Sequence, residues 1–198
     1  MRYLTLLIAL AVLQGCATMR PTNLNDACSI LRDKPQWYEA AVRSERKWRL
    51  PVQIQLAIIY HESTFRADAR PNRTLLGVPL WRRSSAYGYA QAKDGTWDWY
   101  RDKTGNHSGR RTDFADATDF IGWYADISRK TLGISKWDAY NQYLAYHEGH
   151  GGWRRKTYGQ KAWLIKTARR VEARARRYGG QLRACREELQ RNGGPRLF

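Results

Sequence analysis

Between Pro35 and Tyr178 apolar side chains recur at helical spacing, and the recurrence stops only at prolines and glycines. That pattern constrains the chain to packed helices. Pro35 suits the first position of a helix running to about Trp48. Leu50-Pro51 interrupts it, and Pro51 opens a second helix with Val52, Leu56 and Ile59 on one face and Tyr60-His61-Glu62-Ser63 at its far end. From Arg66 to about Gln91 the pattern breaks at Pro71, Gly77, Pro79 and Gly88, and a small hairpin or irregular lobe fits Leu75 to Trp81. Helical spacing returns at Asp94 to Lys103. It returns again at Asp113 to Leu132, where Phe114, Ala117, Ile121, Tyr124 and Ile127 share a side and Gly133 is the stop. Ser135 reads as the N-cap of a helix to about Tyr146, with Trp137, Tyr140 and Leu144 inward and Gly149, Gly151 and Gly152 ending it. A last helix from about Gln160 carries Trp163, Val171, Ala175 and Tyr178, with Gly179-Gly180 as a break before Leu182 and Cys185. The expected fold is mostly all-α, with one small irregular or β-like lobe.

Ahead of this region, Arg2 precedes an unbroken apolar run, Leu4 to Leu13. About ten residues is the length of a signal-peptide core and falls short of the roughly 20 that span a bilayer. The run ends in Leu13-Gln14-Gly15-Cys16, which resembles a bacterial lipobox. The resemblance implies cleavage before Cys16 and acylation of its sulfur and amine; a buried N-terminal helix with an incidental cysteine is the alternative. Several acyl chains, at about 0.8 kcal/mol per buried CH2, anchor stably where one does not. Ala17, rather than Asp, follows the cysteine. By likeness to sorted lipoproteins of two-membrane bacteria, this directs the chain to the outer membrane, facing the periplasm. Residues 1–15 are then a signal peptide, 16–25 a lipidated tether, 26–189 one domain and 190–198 a tail. Cys28 and Cys185 remain near the two ends of the domain. In an oxidising compartment they are expected to pair, with two free buried thiols as the alternative.

A formal charge of +17 makes nucleic acid the first suspect, but an exported, anchored chain excludes it. Carboxylate-bearing wall polymers and anionic membranes are the remaining partners for such a surface. Much of the charge lies in Arg169-Arg170 and Arg174 to Arg177, where a solvated helix face is the plain reading.

Three separated segments hold chemistry. In Ile58 to Phe65, Glu62 ends an apolar turn beside Ile58, Ile59 and Phe65; burial there raises a carboxyl pKa and keeps a proton available near neutrality. In Ser84 to Gln91, Gly88 permits close backbone approach and Gln91 offers a donor and an acceptor. In Leu144 to Trp153 an aromatic, two histidines, a carboxylate and three glycines meet at one helix end. His147, Glu148 and His150 raise the question of zinc. However, no cysteine joins them, and Phe65 stands where a zinc-protease helix has its second histidine. No metal or cofactor is assigned.

Together the segments Glu62-Ser63, Gly88-Tyr89-Ala90-Gln91 and Ala145-Tyr146-His147-Glu148-Gly149 resemble the lytic transglycosylase (SLT) domain of the goose-lysozyme-like superfamily. That family has Glu-Ser at a helix end, a Gly-x-x-Gln loop and an Ala-Tyr-Asn-x-Gly segment in this order. The resemblance covers most of residues 35–178 and implies a lysozyme-like fold and peptidoglycan glycan strands as substrate. It also implies that Glu62 is the single acid/base, with Ser63 a supporting polar group and Gln91, Tyr146, Tyr89 and His147 around the sugar. His147 replaces the family's asparagine, and the long Arg66 to Ser84 insertion, with Trp81, reshapes the cleft. The implied reaction yields a 1,6-anhydro-muramyl end without water as nucleophile. A muramidase using Asp94, Asp98 or Glu148 as second carboxylate is one alternative. A non-catalytic peptidoglycan-binding lipoprotein is another. Recruitment by wall-synthesis or secretion machinery is left open by the sequence.

Overall fold

The computed structural model describes residues 20–71 and 84–191, together with the backbone of 74, 75, 78 and 79. The expected signal peptide, Cys16, Trp81 and the chain beyond Arg191 lie outside the described residues. In chain order the helices are α1 (Ala27–Asp33), α2 (Pro35–Trp48) and α3 (Val52–Ser63). A two-residue antiparallel pair follows, β1 (Thr74–Leu75) with β2 (Val78–Pro79), Thr74 opposite Pro79. Then come α4 (Asp94–Thr104), α5 (Phe114–Leu132), α6 (Ala139–Arg154), a 3-10 turn (Thr157–Gln160) and α7 (Ala162–Arg191). This is the mostly helical, lysozyme-like architecture with a small lobe.

Helix α3 is apolar all round and is buried accordingly: Val52, Ile54, Leu56, Ala57, Ile58 and Ile59 are all in the core. α7 covers one side of it, and α2 and α5 pack beside it. Its one deeply buried amide, Gln55, donates to the carbonyls of Ala41 and Leu50 at 3.1 and 2.8 Å, which ties α3 to the end of α2. α2 and α5 touch closely because Gly122 has no side chain. A Cβ there would lie 2.6 Å from both Ser44 Oγ and Trp48 Cδ1, and Ser44 donates to Thr118 O at 2.7 Å across the contact. Trp37 stacks on Phe114 at 4.1 Å and on Phe65 at 5.7 Å. That stack fixes the chain just after α3, where Thr64 and Phe65 take left-handed conformations that side chains other than glycine's rarely adopt.

The two ends of the domain are joined. A Cys28–Cys185 disulfide links α1 to α7. Beside it the Leu24 carbonyl accepts from Tyr178 Oη and, at 3.2 Å, from Arg174. Gln181 accepts from Ala27 N at 2.9 Å.

Three expectations fail locally. Asp138, not Ser135, caps α6, accepting from Asn141 N, because a carboxylate is the stronger acceptor for an unpaired first-turn N–H. The later start places Trp137 ahead of the helix, 71% exposed rather than inward. Gly149 does end the first run of α6, as expected: the backbone turns there to φ 76°, ψ 158°, and a second helical run follows to Arg154. Gly179-Gly180 does not break α7. Gly179 sits against Gln53 of α3, whose Cγ would make an ordinary van der Waals contact of 3.4 Å with an added Cβ, and the helix runs on through it.

Candidate active site

Glu62 points from the last turn of α3 into a cleft of about 530 Å³. Phe120 and Tyr124 of α5, Gln91 and Lys93 of the turn before α4, and Tyr146 to Gly149 of α6 also line it. The Glu62 Oε1 atom is sealed from solvent and has no hydrogen-bond partner among the described residues. Burial pushes its pKa up to about 7, while the Tyr143 hydroxyl works against the rise. Glu62 therefore exchanges its proton near neutral pH.

The second motif is a rigid turn. Gly88 has φ 79°, and a Cβ there would fall 2.1 Å from Arg111 O, so only glycine fits. Gly88 N donates to Ala69 O at 3.0 Å and Tyr89 N to Arg111 O at 3.1 Å. Arg111 returns hydrogen bonds to Ser85 O and Ala92 O. Gln91, at φ 48°, spends both amide N–H bonds on the carbonyls of Ala69 and Gly88 at 2.8 Å. Only its carbonyl oxygen is left to meet a ligand.

The third motif completes the wall. Tyr146 donates to Ala90 O, linking α6 to the Gly88–Gln91 turn. Its ring is held edge-on by Tyr124 at 5.4 Å and Phe120 at 6.1 Å. His147 is exposed at the mouth and meets Trp163 edge-on at 5.1 Å. Glu148 is clamped. Burial alone raises its pKa, but hydrogen bonds from Lys161 at 2.8 and 2.9 Å, and from Thr157 and His147, bring it down to about 2. It is an ionised strut with its oxygens already bonded.

The structure thus brings Glu62, Gln91, Tyr146 and His147 to one cleft and leaves two expected residues outside it. The Ser63 hydroxyl donates to Ile59 O of its own helix at 3.1 Å, and the side chain is buried away from the cleft. Tyr89 is in the core, edge-on to Trp37 at 5.6 Å and Phe114 at 5.5 Å. Of the other carboxylates, Asp94 pairs with Arg111 at 2.8 Å and, with Asp98, faces a separate groove. Tyr143 was not anticipated, although its place three residues before Tyr146 puts both on one helix face, where Glu62 acts on both. Tyr124, read as part of the apolar side of its helix, also floors the cleft, together with Phe120. His61 is held neutral, its pKa lowered to about 4 by burial and by Arg174. No group of three metal-ligating side chains is gathered among the described residues.

The arrangement supplies one exchangeable proton, a carbonyl acceptor and an aromatic floor inside a cleft of about 530 Å³. No curated protein and no solved structure matches the chain. A family model described as "Transglycosylase SLT domain" matches residues 4–185. On a match spanning nearly its whole length, the chain belongs to the transglycosylase SLT domain family.

Proposed function

We propose that this protein cleaves the MurNAc–GlcNAc β-1,4 bond of peptidoglycan by lytic transglycosylation, with Glu62 as sole acid and base. Family membership supports the coarser statement, a peptidoglycan-degrading activity of the lytic transglycosylase type. The observation that carries the finer one is the Glu62 carboxyl, buried in the cleft with its pKa near 7. In the proposed sequence Glu62 gives its proton to the glycosidic oxygen as the C1–O bond breaks, and the substrate's N-acetyl oxygen closes on C1. The muramyl 6-hydroxyl then displaces that oxygen, and its proton returns to Glu62. No water is consumed, and the product ends in 1,6-anhydro-MurNAc. A group that must both give and accept a proton at one pH works best with a pKa near that pH, and the intramolecular hydroxyl makes positioning the remaining task.

A muramidase would need a second carboxylate to hold a water or attack C1. Glu148 is the other carboxylate lining the cleft, and its clamp of Lys161, Thr157 and His147 makes it a poor base. Mass spectrometry of the muramyl ends released from sacculi tests the reading. Anhydro ends are expected; reducing ends would overturn it in favour of hydrolysis.

The membrane anchor is part of the same proposal and is supported by the sequence around Leu13 to Cys16. No helix among the described residues is long and apolar enough to cross a membrane. The mass of the mature N-terminus, and its loss on Cys16→Ser, checks acylation. Membrane fractionation checks the outer-membrane assignment.

A further inference from the structure

The family's reaction leaves the outer face of α7 without a role. On that helix Leu164, Ala168, Val171, Ala175 and Tyr178 are buried, and the helix packs on α3 and α6. The opposite side exposes Lys166, Arg169, Arg170, Arg176, Arg177 and Arg183. They form a stripe about 26 Å long at the rise of an α-helix. Glu172 is the single acid between residues 162 and 186, and Arg176 already pairs with it at 2.8 Å. Alongside, Trp137 stands 71% exposed over a groove it shares with Arg176, Gly179 and Arg183.

We propose that this face docks on an anionic phospholipid bilayer. A row of arginines charges a surface strongly enough to bind anionic headgroups, their apolar stems lie along the acyl boundary, and an exposed tryptophan beside them is suited to the interface. The chain's start bears on the choice of lipid over wall polymer, and to that extent the inference rests on the Cys16 acylation proposed above. Thr22 already bonds to Asp33 of α1 through its N and Oγ1 at 3.0 Å, and the Leu24 carbonyl accepts from Arg174 and Tyr178 on the buried side of α7. Cys16 lies six residues before Thr22, a reach of roughly 21 Å at full extension. An acylated Cys16 therefore holds the domain at the bilayer surface. No α7 residue lines the cleft. The stripe faces away from α3 and α6, which contribute Glu62 and Tyr146, so docking leaves the cleft open to the wall. The inference stands on the α7 surface and is independent of the Glu62 chemistry.

The test compares the full chain with its Arg169→Gln/Arg170→Gln/Arg177→Gln/Arg183→Gln variant, all four sites being exposed. Partition is measured onto phosphatidylcholine vesicles and onto phosphatidylglycerol vesicles. The variant is expected to lose about tenfold or more of the anionic-over-neutral ratio, with neutral binding and turnover of sacculi unchanged. Raised salt is expected to remove the difference between the two chains. Trp137→Ala is expected to give a smaller loss in the same direction. An unchanged ratio would overturn the proposal. So would an unchanged ratio accompanied by weaker retention on sacculi, which would assign the stripe to the wall polymer instead.

Discussion

Replacing Glu62 by glutamine should stabilise the fold, and only in one pH range. Burial lifts the Glu62 carboxyl from an ordinary 4.5 to about 7, so the folded state resists ionisation that the unfolded chain accepts freely. The sign follows from proton linkage. With a folded pKa above the unfolded one, the native state is fully favoured below about pH 4.5 and loses ground as pH rises to about 7. At 1.36 kcal/mol per pKa unit the loss above pH 7 reaches about 3 kcal/mol. For a chain of this size that is roughly 6–12 °C in Tm. Glutamine cannot ionise, so Glu62→Gln escapes the loss. Any fixed cost of fitting the amide applies equally at every pH and cancels when two pH values are compared. Thermal melts of the wild type and Glu62→Gln at pH 4 and pH 8 are the assay. The variant's advantage should grow by that amount between the two. A gap of the same size at both values, or one that shrinks with rising pH, would refute the reasoning.

Three further outcomes follow from the site's supports. Gly88→Ala places a methyl group 2.1 Å from Arg111 O at a positive φ. Activity should fall sharply and stability by about 2–4 kcal/mol, seen in a denaturant melt. Lys161→Met leaves the Glu148 carboxylate without its cation. The lysine is 40% exposed, so the cost should be only about 1–2 kcal/mol. Because the Glu148 pKa is depressed to about 2, that loss should be present above pH 4.5 and fade as pH falls toward 2, and adding Glu148→Gln should recover part of it. Reducing the Cys28–Cys185 bridge, which spans 157 residues, should lower stability by about 5 kcal/mol in the chain-entropy account.

The fold was legible where apolar period and a local stop signal agreed. α2 runs Pro35–Trp48 as its proline predicts, and α5 ends at Gly133 in the left-handed cap expected of it. It was illegible where packing overrode a local signal. Gly179 and Gly180 stay helical because α3 presses against one side of α7 and the disulfide holds its far end. α1 was missed because seven residues give too short a period to read, although Asp26 does cap it. In the site, Glu62, Gln91 and Tyr146 were readable from motif order. Their neighbours were not: Tyr89 and Ser63 carry polar groups that the fold turns inward, and Tyr143 is visible only once its helix face is known. The Lys161–Glu148 clamp joins residues 13 apart across a bend, which no periodicity announces.

The central claim is that one carboxyl, on Glu62, performs both proton transfers. Its most direct test is the turnover of isolated sacculi by wild type and Glu62→Gln side by side, with sacculus binding measured on the same preparations. A positioned acid or base is worth about 10²–10⁴-fold in rate, so the variant should lose at least about a hundredfold in turnover and bind as the wild type does. Turnover within about tenfold of wild type would place the reacting proton on another group and contradict the account.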